Sequence, residues 1–137
     1  MPTSVKRQFV VGWGDCAPSG AVYYPNYFSW FDQSMWALFA QNGLAIPDLE
    51  KQFHIAGVPL KKLNCDFLSP CRLHDDVVLE SRFSSIGEKD IEIEHELTRD
   101  GVVLVRGHDF RFWGVRSPET GKLQRRAIPD EVLAKLK

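Results

Sequence analysis

The sequence has few of the residues that would tie the chain to a disulfide framework, a zinc site or a membrane. Only three of its 137 residues are cysteines, Cys16, Cys65 and Cys71, and none belongs to a Cys-x-x-Cys pair. An odd number of cysteines without that spacing disfavours a disulfide framework and a zinc site, so we expect a reduced, cytoplasmic setting. No apolar stretch reaches the length of a membrane span, and the N-terminus lacks an apolar signal core.

An excess of charge of either sign is also missing. Seventeen basic residues stand against 18 acidic ones, which gives a net charge of −1. Such a chain has no general attraction to nucleic acid or to acidic membranes, and we expect neither as a partner. The four histidines show no metal-ligand spacing and no arrangement typical of nucleophilic catalysis. His95 falls on the apolar side of a predicted strand, which favours a packed neutral histidine, and no metal is expected.

Aromatic residues, in contrast, are abundant. The chain has nine Phe, four Trp and three Tyr, which favours a bulky core over an aromatic-lined pocket, although both fit. With no repeat, linker or low-complexity segment, residues 1–137 are expected to form one domain large enough for a real core.

A long apolar helix is predicted over residues 25–42. Pro25 suits the first helical position, where its missing N–H is not needed, and Gly43 suits a left-handed residue just past the end. Asp32 is the only formally charged residue between them. A helix that is apolar nearly all round should be enclosed by other structure, and a lone carboxylate on it needs a partner.

The remainder of the chain predicts an antiparallel sheet. At residues 91–98, apolar residues and His95 alternate with three glutamates and a threonine, as in a half-buried strand with one wet face. Asp100-Gly101 predicts a two-residue hairpin turn. Further strands are expected over residues 4–13, 58–68, 76–86 and 102–115, and short helices over residues 47–53 and 129–137.

This order of elements predicts an α+β fold. One strand, a long helix and four more strands bury their apolar surface when a sheet of about five strands curls around the helix, which is the hotdog fold in outline. A single sheet of this kind leaves two edges and an open face. Pairing with a second copy would cover them, so we expect a homodimer or a homotetramer.

The loop and the start of the long helix read Gly14-Asp15-Cys16-Ala17-Pro18-Ser19-Gly20-Ala21-Val22-Tyr23-Tyr24-Pro25-Asn26-Tyr27, followed by Trp30-Phe31-Asp32. This motif resembles that of the 4-hydroxybenzoyl-CoA thioesterase family. The resemblance continues through Gly57-Val58-Pro59, Asp75-Asp76-Val77 and the long hairpin, over nearly the whole chain. It implies a hotdog-fold oligomer that hydrolyses acyl-CoA thioesters at subunit interfaces, with coenzyme A as part of the substrate and no separate cofactor.

The loop departs from this family at one position. The family pattern is Asp-x-Asp-x-x-Gly, and its second Asp is the catalytic carboxylate. Here Asp15 matches the first position and Ala17 occupies the second. A methyl group can neither attack a carbonyl nor accept a proton. Two hypotheses follow: an acyl-CoA thioesterase with an altered nucleophile position, or a non-catalytic hotdog protein that holds acyl-CoA or an acyl carrier without cleaving it.

Two residues beside Ala17 are candidate catalytic groups. The resemblance assigns to Tyr24 the backbone N–H that polarises the thioester carbonyl, a role that needs no particular side chain. Asp15 is the carboxylate nearest the expected nucleophile and could substitute as a base. Our preferred interpretation is that Asp15 instead accepts hydrogen bonds from loop amides in a turn.

Two further residues are candidates for binding the substrate. The resemblance places Asp32 near the hydroxyl of an aromatic acyl group. The alternative is a buried Asp that is held by a backbone amide or by a tyrosine across the subunit interface. It also places basic residues for the coenzyme A phosphates near the segment of residues 87–90, where Lys89 is the only one. Arginines elsewhere on the strands could compensate, namely Arg72, Arg82, Arg106 and Arg111.

Overall fold

A five-stranded antiparallel sheet frames the molecule in the computed structural model, which describes residues 4–137. Its strands lie in the order β1-β3-β4-β5-β2, so β1 and β2 are the edges. This confirms the predicted α+β hotdog fold. The strands are β1 (Val5–Val10), β2 (Leu60–Phe67), β3 (Asp76–Ile86), β4 (Asp90–Arg99) and β5 (Val102–Phe112).

Three helices accompany the sheet: α1 (Pro25–Gln41), α2 (Ile46–Phe53) and α3 (Asp130–Leu136). Pro25 begins α1 as predicted, and Gly43 follows its end with φ +74°, in the left-handed region that favours glycine. Helix α1 packs across one face of the sheet, which we call the inner face. Among residues 4–137, no helix is long and apolar enough to cross a membrane.

The alternation on β4 separates the two faces of the sheet as predicted. Residues 91, 93, 95 and 97 are all buried on the inner face. The glutamates between them lie on the outer face, where Glu94 pairs with Arg82 at 2.5 Å and Glu96 with Arg106 at 3.4 Å. Asp100 and Gly101 join β4 to β5 with φ of 51° and 78°, the positive pair that a two-residue type I′ turn requires.

The sequence prediction is wrong where it extends two strands. The strand predicted over residues 102–115 ends at Phe112, and β6 (Gly114–Arg116) pairs instead with β7 (Leu123–Arg125), a strand that was not predicted. At this exit Gly114 lies close to Leu123 and Pro59, where an added Cβ would be 2.9 Å from Leu123 Cδ1 and 3.0 Å from Pro59 Cγ. The strand predicted over residues 4–13 likewise ends at Val10, before a 3₁₀ turn at Trp13–Asp15.

The prediction that α1 is enclosed on all sides is also wrong for a single chain. One side of α1 packs on the sheet, but Trp36 is 42% exposed and the Asp32 side chain is 56% exposed on the opposite side. One curled sheet can cover only one side of a helix. The apolar residues of the other side therefore remain on the surface of the single chain.

Candidate active site

The loop before α1 is folded back against the helix by backbone hydrogen bonds. The Asp15 carbonyl accepts hydrogen bonds from the Tyr23 N–H at 2.9 Å and from the Asn26 side-chain amide at 2.8 Å. Cys16 pairs with Val22 across the loop as an isolated β-bridge. The sequence motif therefore forms one compact unit with the start of the helix.

Ala17 lies in the tight turn at the tip of this unit. Its N–H donates to the Ala21 carbonyl at 2.8 Å, and its own carbonyl accepts from the Gly20 N–H at 2.9 Å. Gly20 has φ +87°, which closes the turn without strain only for glycine. Both backbone groups of Ala17 are thus used in the turn, and its methyl offers nothing polar to a ligand.

The Tyr24 N–H is a donor at the positive end of α1. The next two amides are used, since the Asn26 N–H donates to the Tyr23 carbonyl at 2.9 Å and the Tyr27 N–H to the Tyr24 carbonyl at 3.2 Å. Pro25 has no N–H. Within residues 4–137, the Tyr24 N–H itself has no acceptor, and the residue is 60% exposed. A helix start with a free amide and its positive dipole end can receive a negatively charged oxygen.

The Asp15 side chain has the turn-forming role that we preferred. Its Oδ2 accepts a hydrogen bond from the Gly12 N–H at 2.9 Å, across the 3₁₀ turn. The side chain is half-buried beside the loop. Its second carboxylate oxygen takes no part in this bond, so the role as a substitute base stays a prediction.

Within the single chain, Asp32 lies on the exposed side of α1, where its side chain is 56% exposed. The alternative, burial with a tyrosine across a subunit interface, stays a prediction. Its Oδ1 accepts a hydrogen bond from Arg111 Nη2 at 3.3 Å. Arg111 itself is buried and reaches Asp32 from β5, beneath the helix. It is therefore not available to hold a coenzyme A phosphate at the surface.

Arg111 belongs to a set of buried polar residues whose role the sequence did not suggest. Its Nε donates to Asp109 at 2.9 Å, and Asp109 in turn contacts His95 Nε2 at 2.9 Å. Burial alone would raise the pKa of Asp109, but the contacts with His95 and Arg111 outweigh this and hold the pKa below its ordinary value. One feature of the sequence could have indicated this set. Side chains alternate in direction along β5, so positions 109 and 111 both point to the inner face.

Lys89 lies at the wrong end of the sheet to meet the Ala17 loop within one chain. It is half-buried in the turn between β3 and β4, and its carbonyl accepts from the Trp113 N–H at 2.8 Å. The loop adjoins the other end of β3, where the Val11 N–H donates to the Asp75 carbonyl. Eleven residues of β3 span roughly 33 Å.

A cavity of about 400 Å³ lies on the outer face of the sheet. Ion pairs line it, Arg82 with Glu94 and Arg106 with Glu96, and it includes no residue of the loop or of α1. Across the described part of the chain, no three His, Cys, Asp or Glu side chains converge as a metal-binding group. The start of α1 and its exposed side therefore form the candidate site.

Comparison with known proteins identifies a family and similar relatives. A sequence model of the thioesterase-like superfamily matches residues 11–136. Over 127 residues the chain is 25% identical to the 4-hydroxybenzoyl-CoA thioesterase of Pseudomonas sp. (strain CBS-3), with 87% of this chain and 89% of that protein covered.

Two solved structures are similar over nearly their whole length. One is a 4-hydroxybenzoyl-CoA thioesterase in an aspartate-to-asparagine variant complexed with 4-hydroxybenzoyl-CoA, with a TM-score of 0.89, 23% identity, and 98% of this chain and 99% of that chain covered. The other is a gentisyl-coenzyme A thioesterase, with a TM-score of 0.80, 26% identity, and 96% and 98% of the two chains covered.

Proposed function

Because the chain belongs to the thioesterase-like superfamily, we propose that it binds and hydrolyses an acyl-CoA thioester with an aromatic, hydroxylated acyl group, as in 4-hydroxybenzoyl-CoA. Thioester hydrolysis needs an oxygen nucleophile and donors for the oxyanion that develops on the carbonyl. The observation that carries the proposal is the unpaired Tyr24 N–H at the start of α1.

The thioester carbonyl binds at the Tyr24 N–H in this proposal. Negative charge grows on the carbonyl oxygen as water adds to the carbon, and the amide and the helix dipole stabilise that charge. The tetrahedral intermediate then collapses, the carbon–sulfur bond breaks, and coenzyme A leaves as its thiolate. A proton from the attacking water reaches a base or the solvent.

The acyl group lies along the exposed side of α1 in this proposal. Tyr24, Phe28, Asp32 and Trp36 follow one another at four-residue spacing, so they form a stripe along one side of the helix. Tyr24 and Asp32 are about 12 Å apart along the helix axis. A benzoyl group with a para hydroxyl, together with a hydrogen bond of about 3 Å at each end, spans a comparable length. The lone carboxylate in an otherwise aromatic stripe would accept the ring hydroxyl.

The nucleophile is water, since Ala17 offers no group that attacks a carbonyl. Asp15 is the nearest carboxylate and is the candidate base for that water. One of its oxygens already accepts from the Gly12 N–H at 2.9 Å, which leaves the other for a water molecule. General-base assistance of this kind typically contributes about 10² to 10⁴ in rate.

A homodimer that pairs β2 with β2 of a second copy would complete the site. The Phe67 end of β2 lies beside the start of α1, where the ring centres of Phe67 and Tyr27 are 5.7 Å apart. The Leu60 end lies beside β5 and the turn that carries Lys89, where Lys61 contacts Asp90 at 3.6 Å. Antiparallel pairing brings the Leu60 end of one chain to the Phe67 end of the other. It would thereby bring the partner's Lys89 towards the thioester site.

A cytoplasmic setting is part of the proposal. The three cysteines are free thiols. Burial raises the pKa of Cys65 and of Cys71 to about 11 each, so both stay protonated and unreactive at neutral pH. Their environment neither requires nor favours oxidation.

A non-catalytic acyl-CoA or acyl-carrier binding protein is the second candidate, and Ala17 favours it. The loop, the free amide and the aromatic stripe are all compatible with binding. Without a carboxylate at position 17, the same site could hold a thioester and leave it intact.

Free-thiol release from CoA thioesters separates the two candidates. Wild type, Asp15→Asn and Ala17→Asp are each assayed with 4-hydroxybenzoyl-CoA, benzoyl-CoA and acetyl-CoA. We expect Ala17→Asp to hydrolyse 4-hydroxybenzoyl-CoA about 10² times faster than wild type, because it restores a carboxylate at the carbonyl. Asn keeps the acceptor for the Gly12 N–H, so a rate lost only in Asp15→Asn would identify Asp15 as the base. Tight binding by wild type with turnover at the buffer rate would favour the second candidate, and no release from any thioester by Ala17→Asp would contradict the first.

The Tyr24 N–H is tested in the Ala17→Asp background with Tyr24→Pro. Tyr24 has φ −56°, which proline adopts, so the substitution removes a donor that has no partner in the fold. We expect kcat to fall by about 10² to 10³. Tyr24→Ala keeps the N–H and, like proline, lacks the aromatic ring, so it is the matched control. Equal activity of the two variants would remove the oxyanion role from this amide.

A further inference from the structure

A continuous chain of side-chain hydrogen bonds crosses the core between two points on α1. It starts at Ser34, whose hydroxyl lies 2.6 Å from that of Ser81 on β3, and Ser81 lies 2.5 Å from His95 Nδ1 on β4. It continues through Asp109 and Arg111 of β5 and returns to α1 at Asp32. We call Ser34, Ser81, His95, Asp109 and Arg111 the buried polar chain.

The buried polar chain separates two apolar clusters. One cluster surrounds the first half of α1 and includes Phe31 and Leu97, and the other surrounds the second half and includes Met35 and Ile93. All five residues of the chain are at most 5% exposed. No side-chain nitrogen or oxygen buried within residues 4–137 lacks a hydrogen-bond partner, so the cost of burying these groups is met by their mutual bonds.

The hydrogen bonds of the buried polar chain can all point one way. If His95 Nε2–H donates to the Asp109 carboxylate, Nδ1 is an acceptor for the Ser81 hydroxyl, and Ser81 accepts in turn from Ser34. Phe31 stacks flat on the imidazole, with ring centres 4.6 Å apart and planes at 2°. His95 therefore has no freedom to turn away from Asp109.

Arg111 is fixed by all three of its nitrogens. Nε donates to Asp109 at 2.9 Å, Nη1 donates to the Val58 carbonyl at 2.8 Å, and Nη2 donates to Asp32 at 3.3 Å. The first two partners hold the guanidinium in the core, and the third is the only one at the surface. The cation is thus anchored independently of Asp32 and presents one N–H to it.

We propose that Arg111, held by Asp109 and His95, is a positioning residue that orients Asp32 and thereby sets the preference for a hydroxylated acyl ring. This inference rests on the proposed function of Asp32. The bond from Arg111 occupies Oδ1 of Asp32, which leaves Oδ2 as an acceptor for a ligand on the exposed side of α1. Without the bond, Asp32 would rotate freely in water and discriminate poorly between rings with and without a hydroxyl.

Binding of two unreactive probes tests this without any catalytic step. The probes are S-(4-hydroxybenzyl)-CoA and S-benzyl-CoA, which differ only in the hydroxyl, and their affinities are measured by titration calorimetry on the full chain. We expect wild type to prefer the hydroxylated probe by about tenfold, the scale of one hydrogen bond to a charged group. Arg111→Lys keeps the charge but cannot bridge three partners, and it should reduce the preference to within about twofold of that in Asp32→Asn.

A double-substitution cycle and two controls complete the experiment. Asp32→Asn combined with Arg111→Lys should lose no more preference than Asp32→Asn alone, because both act through one carboxylate. Arg82→Lys, at an ion pair on the outer face, should keep the wild-type preference. Asp109→Leu combined with Arg111→Met removes both charges from the core and serves if Arg111→Lys fails to fold.

The outcomes separate this inference from the proposed function. A preference that Arg111→Lys and the apolar pair retain while Asp32→Asn abolishes it would overturn the positioning role and leave Asp32 in place. A preference that survives in Asp32→Asn, or its absence from wild type, would overturn the proposed role of Asp32 itself.

Discussion

The two ends of the candidate site are built in different ways. The loop at the start of α1 is held by backbone hydrogen bonds, such as those from Tyr23 and Ala17, which depend little on side-chain identity. Asp32, about two turns further along, is held by the buried polar chain, in which each bond needs one particular side chain. The loop end of the candidate site can therefore accept Ala17 without losing its shape, whereas a change at the Asp32 end propagates through the core.

This difference predicts where substitutions are tolerated. A backbone-built loop can lose a reactive side chain and still bind, so the geometry of the loop says little about its chemistry. A core held by side-chain hydrogen bonds loses both its stability and the position of Asp32 when one of those side chains is replaced. Stability measurements on matched variants of the two regions test this contrast.

The largest effect is expected from Arg111→Ala. The substitution removes the guanidinium beside Asp109 and leaves that carboxylate in the core with His95 as its remaining partner. Breaking a buried pair in this way typically costs about 3 to 5 kcal/mol in the free energy of unfolding. Urea unfolding followed by circular dichroism measures it. Arg82→Ala, which breaks an exposed pair with Glu94, should cost less than about 1 kcal/mol. Similar losses for the two variants would show that the buried polar chain contributes little.

A smaller effect is expected from Gly107→Ala. A Cβ at this position would lie 2.5 Å from Phe31 Cε2, so Phe31 must move off the His95 ring, at a cost of about 1 to 3 kcal/mol. Gly14→Ala in the loop is the control, because its Cβ would meet nothing within 4 Å. Thermal unfolding should separate the two by several degrees. If neither substitution lowers the unfolding temperature, the core around Phe31 adapts more readily than the close contact implies.

The smallest effect is a dependence on pH. Because the folded-state pKa of Asp109 lies below its unfolded value, ionised Asp109 stabilises the fold above the unfolded pKa, about 4, and this is lost as pH falls through the folded pKa. Unfolding is measured from pH 7 to pH 2.5 for wild type and Asp109→Asn. Wild type should lose more stability on acidification than Asp109→Asn does.

Asp75 does not disturb that comparison. Burial opposes the shift, but hydrogen bonds from the Arg72 N–H and the Arg99 side chain lower its pKa as well, and it titrates in both proteins. Its contribution therefore cancels in the difference. Parallel pH curves for wild type and Asp109→Asn would contradict the assignment of the lowered pKa to Asp109.

Much of the fold could be predicted from the sequence because local patterns there agree with the tertiary structure. The bounds of α1 follow from Pro25 and Gly43, and the turn at Asp100-Gly101 follows from the backbone angles that such a pair adopts. The exit of the chain at Gly114 was missed because no local pattern marks it, and Gly114 there contacts Pro59, which is distant in sequence. Short strands such as β7 carry too few residues for a pattern.

The candidate site could be predicted only in part. The resemblance of the loop motif and the helix start to a known family gave Tyr24 and Asp32 as candidate site residues. The buried polar chain was missed because β5 inverts the usual preference: Asp109 and Arg111 are buried, while Phe110 and Phe112 lie half-buried on the outer face. Hydrophobicity alone favours the opposite arrangement, and only the partners on other strands reverse it.

Gly107 limits how this protein and its descendants can change. Its position cannot gain a methyl group unless Phe31 becomes smaller or moves, since the two would otherwise overlap at 2.5 Å. Phe31 in turn neighbours Asp32 and covers the His95 imidazole. Evolutionary drift at either position therefore requires a compensating change at the other, and we expect the two to covary among homologues.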